Sequence, residues 1–574
     1  MLSAVFMEMT VQQRYRLFCE HAGEDAEFSA ALAALADDPA GREDAFFREL
    51  AFGTGGLRGI LGAGTNRMNR YTVRRASAGL SDYTDGLPAG RGGAVAISYD
   101  SRIGSRTFAE EAATVFAAAG HPVYLMPTLM PTPCLSYAVR SLGCVAGVMV
   151  TASHNPAAYN GYKVYGADGC QITDAAAEKI TASIGRHTYF EPLGTTFAAA
   201  LAAGHIRYIA EETLASFLSE VKKTSPLTEA APADRSLRIV YTPLNGTGLV
   251  PVTRILRENG YENLSVVSAQ RDPDGHFPTC PYPNPEMPEA LAPALQQAEA
   301  EGADLVLATD PDCDRVGIAV RERQGTYTLL TGNEVGLLLL DFIASERAKQ
   351  GTLPPSPVLV RTVVTTDLAD RIAAHYGIAV TEVLTGFKYI GEVIGRLETE
   401  GRAGDFLFGF EESYGYLGGS YVRDKDGVYG AFIIAEMCAA ARAAGLTLTE
   451  RLAQLYRTYG YAKNSLRSYT LTGAVGLEKM RMVMAHFRTG VKSIGPSRVQ
   501  DVTDYLSPDT GLPASDVLKF RLADASTVVI RPSGTEPKLK VYISVRADDE
   551  KKAAEKESAL SGSISSVIRQ ICGE

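Results

Sequence analysis

The feature that most constrains this chain is an apolar run that stops at a polar loop: Val145-Ala146-Gly147-Val148-Met149-Val150, then Thr151-Ala152-Ser153-His154-Asn155-Pro156. A short run of small and β-branched residues with no alternating polar position predicts a strand buried on both faces, and such strands belong to sheets covered by helices. Open α/β sheets bind ligands outside the carboxyl ends of their strands, so Ser153 is placed to meet a substrate. A serine hydroxyl needs a base, a metal or a prior modification to become a useful nucleophile. No GxSxG elbow surrounds it, which argues against acyl transfer. The other reading of the loop is that Ser153 or Asn155 caps the next helix.

The same alternation recurs along the 574 residues, a length that suggests roughly four domains at ~150 residues each. Apolar residues at 46% and charged residues at 21% exclude a disordered chain. A net charge of −10 argues against non-specific binding to nucleic acid or to an anionic membrane, so an anionic substrate must be met by local Arg and Lys. The eight cysteines are scattered without a CxxC pair, which points to free thiols in a reducing compartment. No basic segment leads into an apolar run at the amino terminus, and no apolar stretch reaches ~18 residues. A soluble, cytoplasmic protein, monomer or homodimer, is expected.

Residues 1 to about 50 read as helical, including Val11 to His21 and Phe28 to Leu35. Phe52-Gly53-Thr54-Gly55-Gly56-Leu57-Arg58-Gly59 sets four glycines around one arginine, a loop whose backbone can approach an anion closely. Val95-Ala96-Ile97, the Ala-rich Phe108 to Ala119, and Val123-Tyr124-Leu125 continue the α/β pattern. Asp100-Ser101-Arg102 after the first of these strands supports the serine loop or forms a plain salt bridge. A second α/β unit opens at Arg238-Ile239-Val240-Tyr241 and delivers Asp310-Pro311-Asp312-Cys313-Asp314-Arg315 after the run 303–308.

In extended chain alternate residues share a face, so Asp310, Asp312 and Asp314 are expected to point the same way. Three adjacent carboxylates require a cation. An EF-hand is excluded, because its sixth and twelfth positions, counted from Asp310, are Arg315 and Arg321 instead of Gly and Glu. Hard oxygen ligands on a short turn suit Mg²⁺.

A third unit, from about 325, carries an apolar helix from Val335 to Ile343, strands at 358–360 and 380–383, and a loop Thr385-Gly386-Phe387-Lys388. Phe406-Leu407-Phe408 then leads to Gly409-Phe410-Glu411-Glu412-Ser413-Tyr414-Gly415. Its carboxylates and serine can hold sugar hydroxyls, or open a helix with favourable acidic charge. A long helix runs to Ala444, and the pattern loosens around 450 to 475. In the last unit Arg531-Pro532-Ser533-Gly534-Thr535 lies between strands 526–530 and 541–545, before a closing helix over 551–572. Guanidinium, hydroxyls and backbone donors there make a phosphate cradle, with a plain hairpin as the alternative. No Gly-Lys dipeptide occurs, which excludes a Walker A site.

TASHNP followed by NGYK resembles the active-site loop of the α-D-phosphohexomutases, and the FGTGGLRG, DPDCDR, GFEESYG and RPSGT loops follow that family's order across nearly the whole chain. The resemblance implies a four-domain α/β architecture: three similar α/β domains and a smaller α+β carboxyl-terminal domain around a central cleft, at 1–205, 206–324, 325–455 and 456–574. It implies a phosphorylated Ser153 that joins Asp310, Asp312 and Asp314 as a Mg²⁺ ligand, with Arg58, Arg315 and His154 beside it. Thr385, Gly386, Glu411 and Ser413 would hold the sugar, and Arg531, Ser533, Gly534 and Thr535 the spectator phosphate. Some relatives carry a histidine two residues after the sugar-loop serine, where this chain has Gly415, so proton transfer falls to Lys163 or Lys388. The implied reaction converts glucose 1-phosphate and glucose 6-phosphate through glucose 1,6-bisphosphate. Mannose and pentose phosphates are alternative substrates, and a sugar-phosphate sensor or a metal-dependent phosphatase is the reading from another class.

Overall fold

The serine loop belongs to a six-stranded sheet built from β1 (Leu57–Ile60), β2 (Val95–Tyr99), β3 (Val123–Leu125), β4 (Ala146–Val150), β5 (Tyr159–Gly166) and β6 (Ile206–Tyr208). This computed structural model describes residues 9–21, 25–53, 55–88, 90–228, 231–471, 473–533 and 538–573. The spatial order is β1-β5-β4-β2-β3-β6, with β4, β2, β3 and β6 parallel, β5 antiparallel to β4, and β1 antiparallel to β5. Strands β2 and β4 are buried at every position. Val95, Ile97, Val148 and Val150 feed the core shared with Phe108, Ala109, Ala112 and Phe116, while Ala96 and Met149 pack on Leu135 and Val139. Alternate residues thus face two helical layers, which is why the run carries no polar position. The helix that connects β2 to β3 and the helix that connects β3 to β4 pack on opposite faces, and β3 and β4 lie on opposite sides of β2, so the crevice at the ends of β2 and β4 is the switch point of this sheet.

The chain divides into two compact units. The first contains Met1–Leu330, Gly391–Ala403 and Gly415–Ala443. Its second sheet, β7 (Ile239–Thr242), β8 (Leu264–Val266), β9 (Leu305–Thr309), β10 (Val316–Arg321) and β11 (Tyr327–Leu330), has the order β11-β10-β9-β7-β8. The second unit contains Thr331–Ile390, Gly404–Tyr414 and Ala444–Glu574. There β12 (Val358–Thr362) pairs in parallel with β13 (Ala379–Val383) and β14 (Phe406–Glu411). An antiparallel sheet follows, in which β15 (Tyr461–Thr470), β16 (Ser493–Ile494), β17 (Ser497–Asp504), β18 (Leu518–Leu522), β19 (Thr527–Pro532) and β20 (Lys538–Ala547) take the order β15-β20-β19-β18-β17-β16. The helix Glu550–Cys572 covers it through Leu560, Ile564 and Ile568. Arg361 on β12 pairs with Asp370 and Glu382 at 2.6 Å each, and Lys519 on β18 reaches Glu382 at 2.7 Å, so charge ties the two sheets of this unit together.

Three sequence expectations change. The segment 450–470 carries regular structure: a helix Leu448–Tyr459, opened by a capping box between Thr447 and Glu450, leads into the ten-residue β15. Strand β15 lies at a sheet edge with mostly exposed or half-buried residues, so no apolar alternation marks it. Phe387 and Lys388 open the helix Phe387–Thr399, leaving Thr385 and Gly386 as the loop. Asp310 to Arg315 forms a turn between β9 and β10 in place of extended chain, with Cys313 at φ 51°. All eight cysteines are free thiols. Among the described residues no single helix is long and apolar enough to cross a membrane.

Glu436 is 3% exposed on the helix Gly427–Ala443, and its two oxygens share one donor, the Ser225 hydroxyl, at 2.8 Å each. Burial pushes its carboxyl up to about 7, against the opposing Ser225 bond and Arg235 charge. A raised folded-state value means that the group favours folding below its unfolded value, near 4.5, and that this contribution is lost as pH rises through about 7. The loss is on the order of 3 kcal/mol. Glu436→Gln is therefore expected to melt higher than the parent at pH 8, by roughly 5 °C more than at pH 4.5. A gap that does not grow with pH in paired thermal melts refutes this.

Candidate active site and metal centre

Ser153 sits in the first turn beyond β4 with φ 51°, a left-handed conformation that non-glycine residues adopt at a cost of ~1 kcal/mol or more. Its amide donates to Thr151 Oγ1 at 2.8 Å, and Thr151 Oγ1 donates to Asp100 Oδ2 at 2.6 Å. Asp100 also accepts from Ser105 Oγ at 2.6 Å and from the Arg102 amide at 2.9 Å. The carboxyl end of β2 therefore supports the loop at the end of β4. Of the two readings of Asp100-Ser101-Arg102, this support is the dominant geometry, since the Asp100 to Arg102 side-chain pair is the longer contact at 3.4 Å.

The Ser153 hydroxyl donates to Asp310 Oδ2 at 2.8 Å and lies 3.1 Å from His154 Nδ1. Ser153 caps no helix. Asp310 Oδ1 accepts the amides of Asp314 and Arg315 at 3.0 Å each, which wraps the turn around its own first carboxylate. The wrapped turn, and not strand alternation, brings Asp310, Asp312 and Asp314 together, with one oxygen of each within 4.8 Å of the others. Thr132 donates to Asp312 Oδ2 through its hydroxyl at 2.9 Å, and its amide holds the Asp312 carbonyl at 2.9 Å.

Lys163, on β5, reaches Asp312 Oδ2 at 2.7 Å and Asp314 Oδ2 at 3.4 Å. A second lysine, Lys425, reaches Asp314 Oδ2 at 2.9 Å. Sequence reasoning missed it, because Asp314 lies more than a hundred residues away and only packing brings the two together. A Cβ on Gly415 would stand 2.4 Å from Lys425 Cδ, so the bare Gly415 leaves room for the Lys425 stem. Arg315 pairs with Glu286 and lies 3.9 Å from Asp314 Oδ1. Arg58 donates to the Asn155 side chain at 3.2 Å and so borders the serine loop.

Burial, and after it the charges of Asp314 and Asp312, push the Asp310 carboxyl well above the usual range. Burial also opposes ionisation of Asp312 and Asp314, yet Lys163 for the former and Lys425 with Lys163 for the latter outweigh it and hold both below that range. Burial, then Arg315 and Arg58, push His154 well below its ordinary value, which leaves a neutral imidazole beside the serine. Lys163 is raised despite burial because Asp312 and Asp314 outweigh the desolvation.

Asp312 Oδ1 and Asp314 Oδ1 are buried without a hydrogen-bond partner. Orphaned carboxylate oxygens are costly unless a cation takes them. An all-oxygen set of three carboxylates and one hydroxyl fits Mg²⁺.

In the second unit, the Gly386 amide (φ 124°) donates to Glu411 Oε1 at 2.9 Å, and Glu411, the last residue of β14, is 4% exposed. Thr385 Oγ1 is buried without a hydrogen-bond partner. Ser413 is half-buried in the turn after β14. Lys388 is buried, with Nζ 4.7 Å from the Tyr389 ring centroid. Arg531 lies near the end of β19 with Nη1 buried and unpaired, and the Ser533 amide donates to the Lys538 carbonyl at 2.8 Å. Gly534 and Thr535 lie outside the described residues.

Comparison with known proteins gives one answer along the chain. Residues 49–190, 215–325 and 331–459 match the alpha/beta/alpha domains I, II and III of phosphoglucomutase/phosphomannomutase, and residues 491–560 match the C-terminal domain. A phosphoglucomutase of Staphylococcus aureus (strain MRSA252) is 34% identical over 536 residues, covering 90% of this chain and 94% of that protein. Among solved structures, the open form of parafusin, a phosphoglucomutase from Paramecium, superposes with a TM-score of 0.65 at 19% identity, covering 91% of this chain and 95% of that one. An Aspergillus fumigatus N-acetylphosphoglucosamine mutase in complex with GlcNAc-6P and magnesium reaches a TM-score of 0.51 at 13% identity, covering 94% and 98%.

Mg²⁺ at 100 times its dissociation constant is expected to stabilise the protein by about 2.7 kcal/mol, read as a rise in Tm that EDTA reverses. Asp312→Asn should abolish the rise. A parent protein whose Tm ignores Mg²⁺ would refute the metal site.

Proposed function

Because the chain belongs to the phosphoglucomutase/phosphomannomutase family, we propose that it interconverts glucose 1-phosphate and glucose 6-phosphate through a phosphorylated Ser153 and a glucose 1,6-bisphosphate intermediate. The observation that carries this reading is the Ser153 hydroxyl 2.8 Å from Asp310, against a buried carboxylate cluster with two orphaned oxygens. Non-enzymatic cleavage of a phosphate monoester is among the slowest of reactions, so transfer depends on in-line positioning and on neutralising charge.

Asp310, Asp312, Asp314 and the Ser153 oxygen would hold Mg²⁺, which when bound supplies positive charge against the phosphoryl oxygens. In the first transfer the bond between phosphorus and the Ser153 oxygen breaks as a sugar hydroxyl bonds phosphorus and releases its proton. The reverse step at the other end of the sugar restores the phosphoserine. Arg58 and Arg315 stabilise the transferring group, and the neutral His154 hydrogen-bonds the serine oxygen. In this proposal Lys163, Lys388 or Lys425 moves the hydroxyl proton, with Lys163 and Lys425 within reach of the aspartate cluster. Thr385, Gly386, Glu411 and Ser413 hold the sugar, and Arg531, Ser533, Gly534 and Thr535 hold the phosphate that does not react.

The proposal is tested by turnover of glucose 1-phosphate with Mg²⁺ and a trace of glucose 1,6-bisphosphate, beside mannose 1-phosphate and ribose 1-phosphate. Glucose phosphate is expected to give the highest kcat/KM, and Ser153→Ala to abolish turnover. Preference for another sugar moves the assignment within the family, and free phosphate without isomerisation replaces it with a phosphatase.

Lys425→Met is expected to lower kcat by roughly 10²-fold or more, the range for loss of a proton-transfer group. Gly415→Ala, whose Cβ must displace the Lys425 stem, should fall between this variant and the parent. Parent-like kcat in both would remove Lys425 from the mechanism.

A further inference from the structure

Arg102 has no role in the chemistry proposed above, yet it is 3% exposed and its guanidinium is spent on a single loop. Nη1 donates to the carbonyls of Pro156 and Tyr159 at 2.9 Å each. Nη2 donates to the carbonyl of Ser153 at 2.5 Å and to that of Asn155. These four acceptors are main-chain oxygens between the nucleophile and the start of β5. Burying a guanidinium against carbonyls, with a carboxylate only at 3.4 Å from Nε, is an unusual use of a residue that ordinarily takes a carboxylate in a fork.

The other face of the guanidinium is also fixed. Its Cζ lies 5.0 Å from the ring centroid of Phe277, a residue 1% exposed that itself holds φ 48°. Phe277 lies between β8 and β9, and β9 delivers the Asp310 turn. Close packing seals the junction: a Cβ on Gly275 would stand 2.5 Å from the Ile103 amide nitrogen and 2.8 Å from the Ser101 carbonyl oxygen. Arg102 thus touches the serine loop on one side and the segment leading to the metal turn on the other.

We infer that Arg102, backed by Phe277, is the positioning residue that sets the serine loop of the first sheet in register with the aspartate turn of the second. Three elements constrain Ser153: its amide is held by Thr151, its carbonyl by Arg102 and its hydroxyl by Asp310. The left-handed φ of Ser153 persists because both flanking peptide groups are tied. Without the fork, the Ser153, Asn155, Pro156 and Tyr159 carbonyls lose a charged donor together, Pro156 keeping only the Tyr159 amide at 3.0 Å, and the loop relaxes, moving the oxygen that must attack and leave in line. A misplacement of about 1 Å at a reacting atom costs on the order of 10²-fold in rate.

The activity arm of the test rests on the mutase reading, so hydrogen exchange is measured beside it. In Arg102→Gln, kcat for glucose 1-phosphate is expected to fall about 10²-fold with KM within about threefold of the parent. Arg102→Lys should not recover it, because one ammonium cannot span four carbonyls. Phe277→Leu, which keeps the donors and removes their backing, should lose about tenfold. Amides of 153–160 should exchange faster in all three variants, while those of 305–309 in β9 keep the parent rate. Recovery of parental kcat by Arg102→Lys, or unchanged exchange over 153–160, would overturn the proposal. A parent protein inactive on every sugar phosphate, with exchange over 153–160 still faster in the variants, would sink the mutase reading and leave the positioning role standing.

Discussion

The 2.8 Å bond from Ser153 to Asp310 is the contact on which the proposed chemistry rests, because its two ends come from different sheets. A hydroxyl at the end of β4 can serve phosphoryl transfer only if the turn after β9 is in register with it. Charge explains why the pair is workable. Three buried carboxylates would repel one another in a medium of low dielectric. Lys163 and Lys425 contact two of them and Arg315 stands close by, so the cluster is compensated before any ligand arrives. A phosphoryl group on Ser153 would add between −1.5 and −2, roughly what one divalent cation returns. The two carboxylate oxygens left without donors are therefore where a cation would bind.

The same balance shows why Gly415 matters. The space that a side chain would fill there is taken by the aliphatic stem of Lys425, and the ammonium it delivers finishes on Asp314. A residue defined by having no side chain sets the position of a charge ten residues later. Substitution at Gly415 and substitution at Lys425 accordingly act on one feature, and their effects are expected to be non-additive.

Much of this was legible in the sequence. The both-face burial of β4 is written in its unbroken apolar run, and the oxygen-rich chemistry of the aspartate turn in its spacing. What could not be read was how the carboxylates converge. Strand alternation suggested one shared face, whereas the turn closes on Asp310 through two backbone amides and a left-handed Cys313. Lys425 was equally hidden, since its partner is more than a hundred residues away and only packing reveals it. The edge strand β15 escaped for a simpler reason: half-exposed residues at a sheet edge need no apolar periodicity. Arg102 could be read as support for the serine loop, but not that its fork would close on four main-chain carbonyls.

Backbone strain marks the same region. Of the non-glycine residues with positive φ, Ser153, Leu244, Asn245, Phe277 and Cys313 all belong to the first unit, in connections that follow its parallel strands. Leu244 and Asn245 lead into Gly246, where a Cβ would stand 2.4 Å from Pro311 Cα, and Thr247 binds the Pro311 carbonyl through its amide at 2.8 Å and its hydroxyl at 2.9 Å. The strained turn after β7 therefore buttresses the aspartate turn, as the strained Phe277 backs Arg102 and Arg102 holds the strained Ser153. Each such residue costs on the order of 1–3 kcal/mol, which isolated loops could not sustain. The cost is carried by the buried sheets behind them, and it holds the Ser153 hydroxyl and the aspartate turn in fixed relative position, the preorganisation that the proposed chemistry requires.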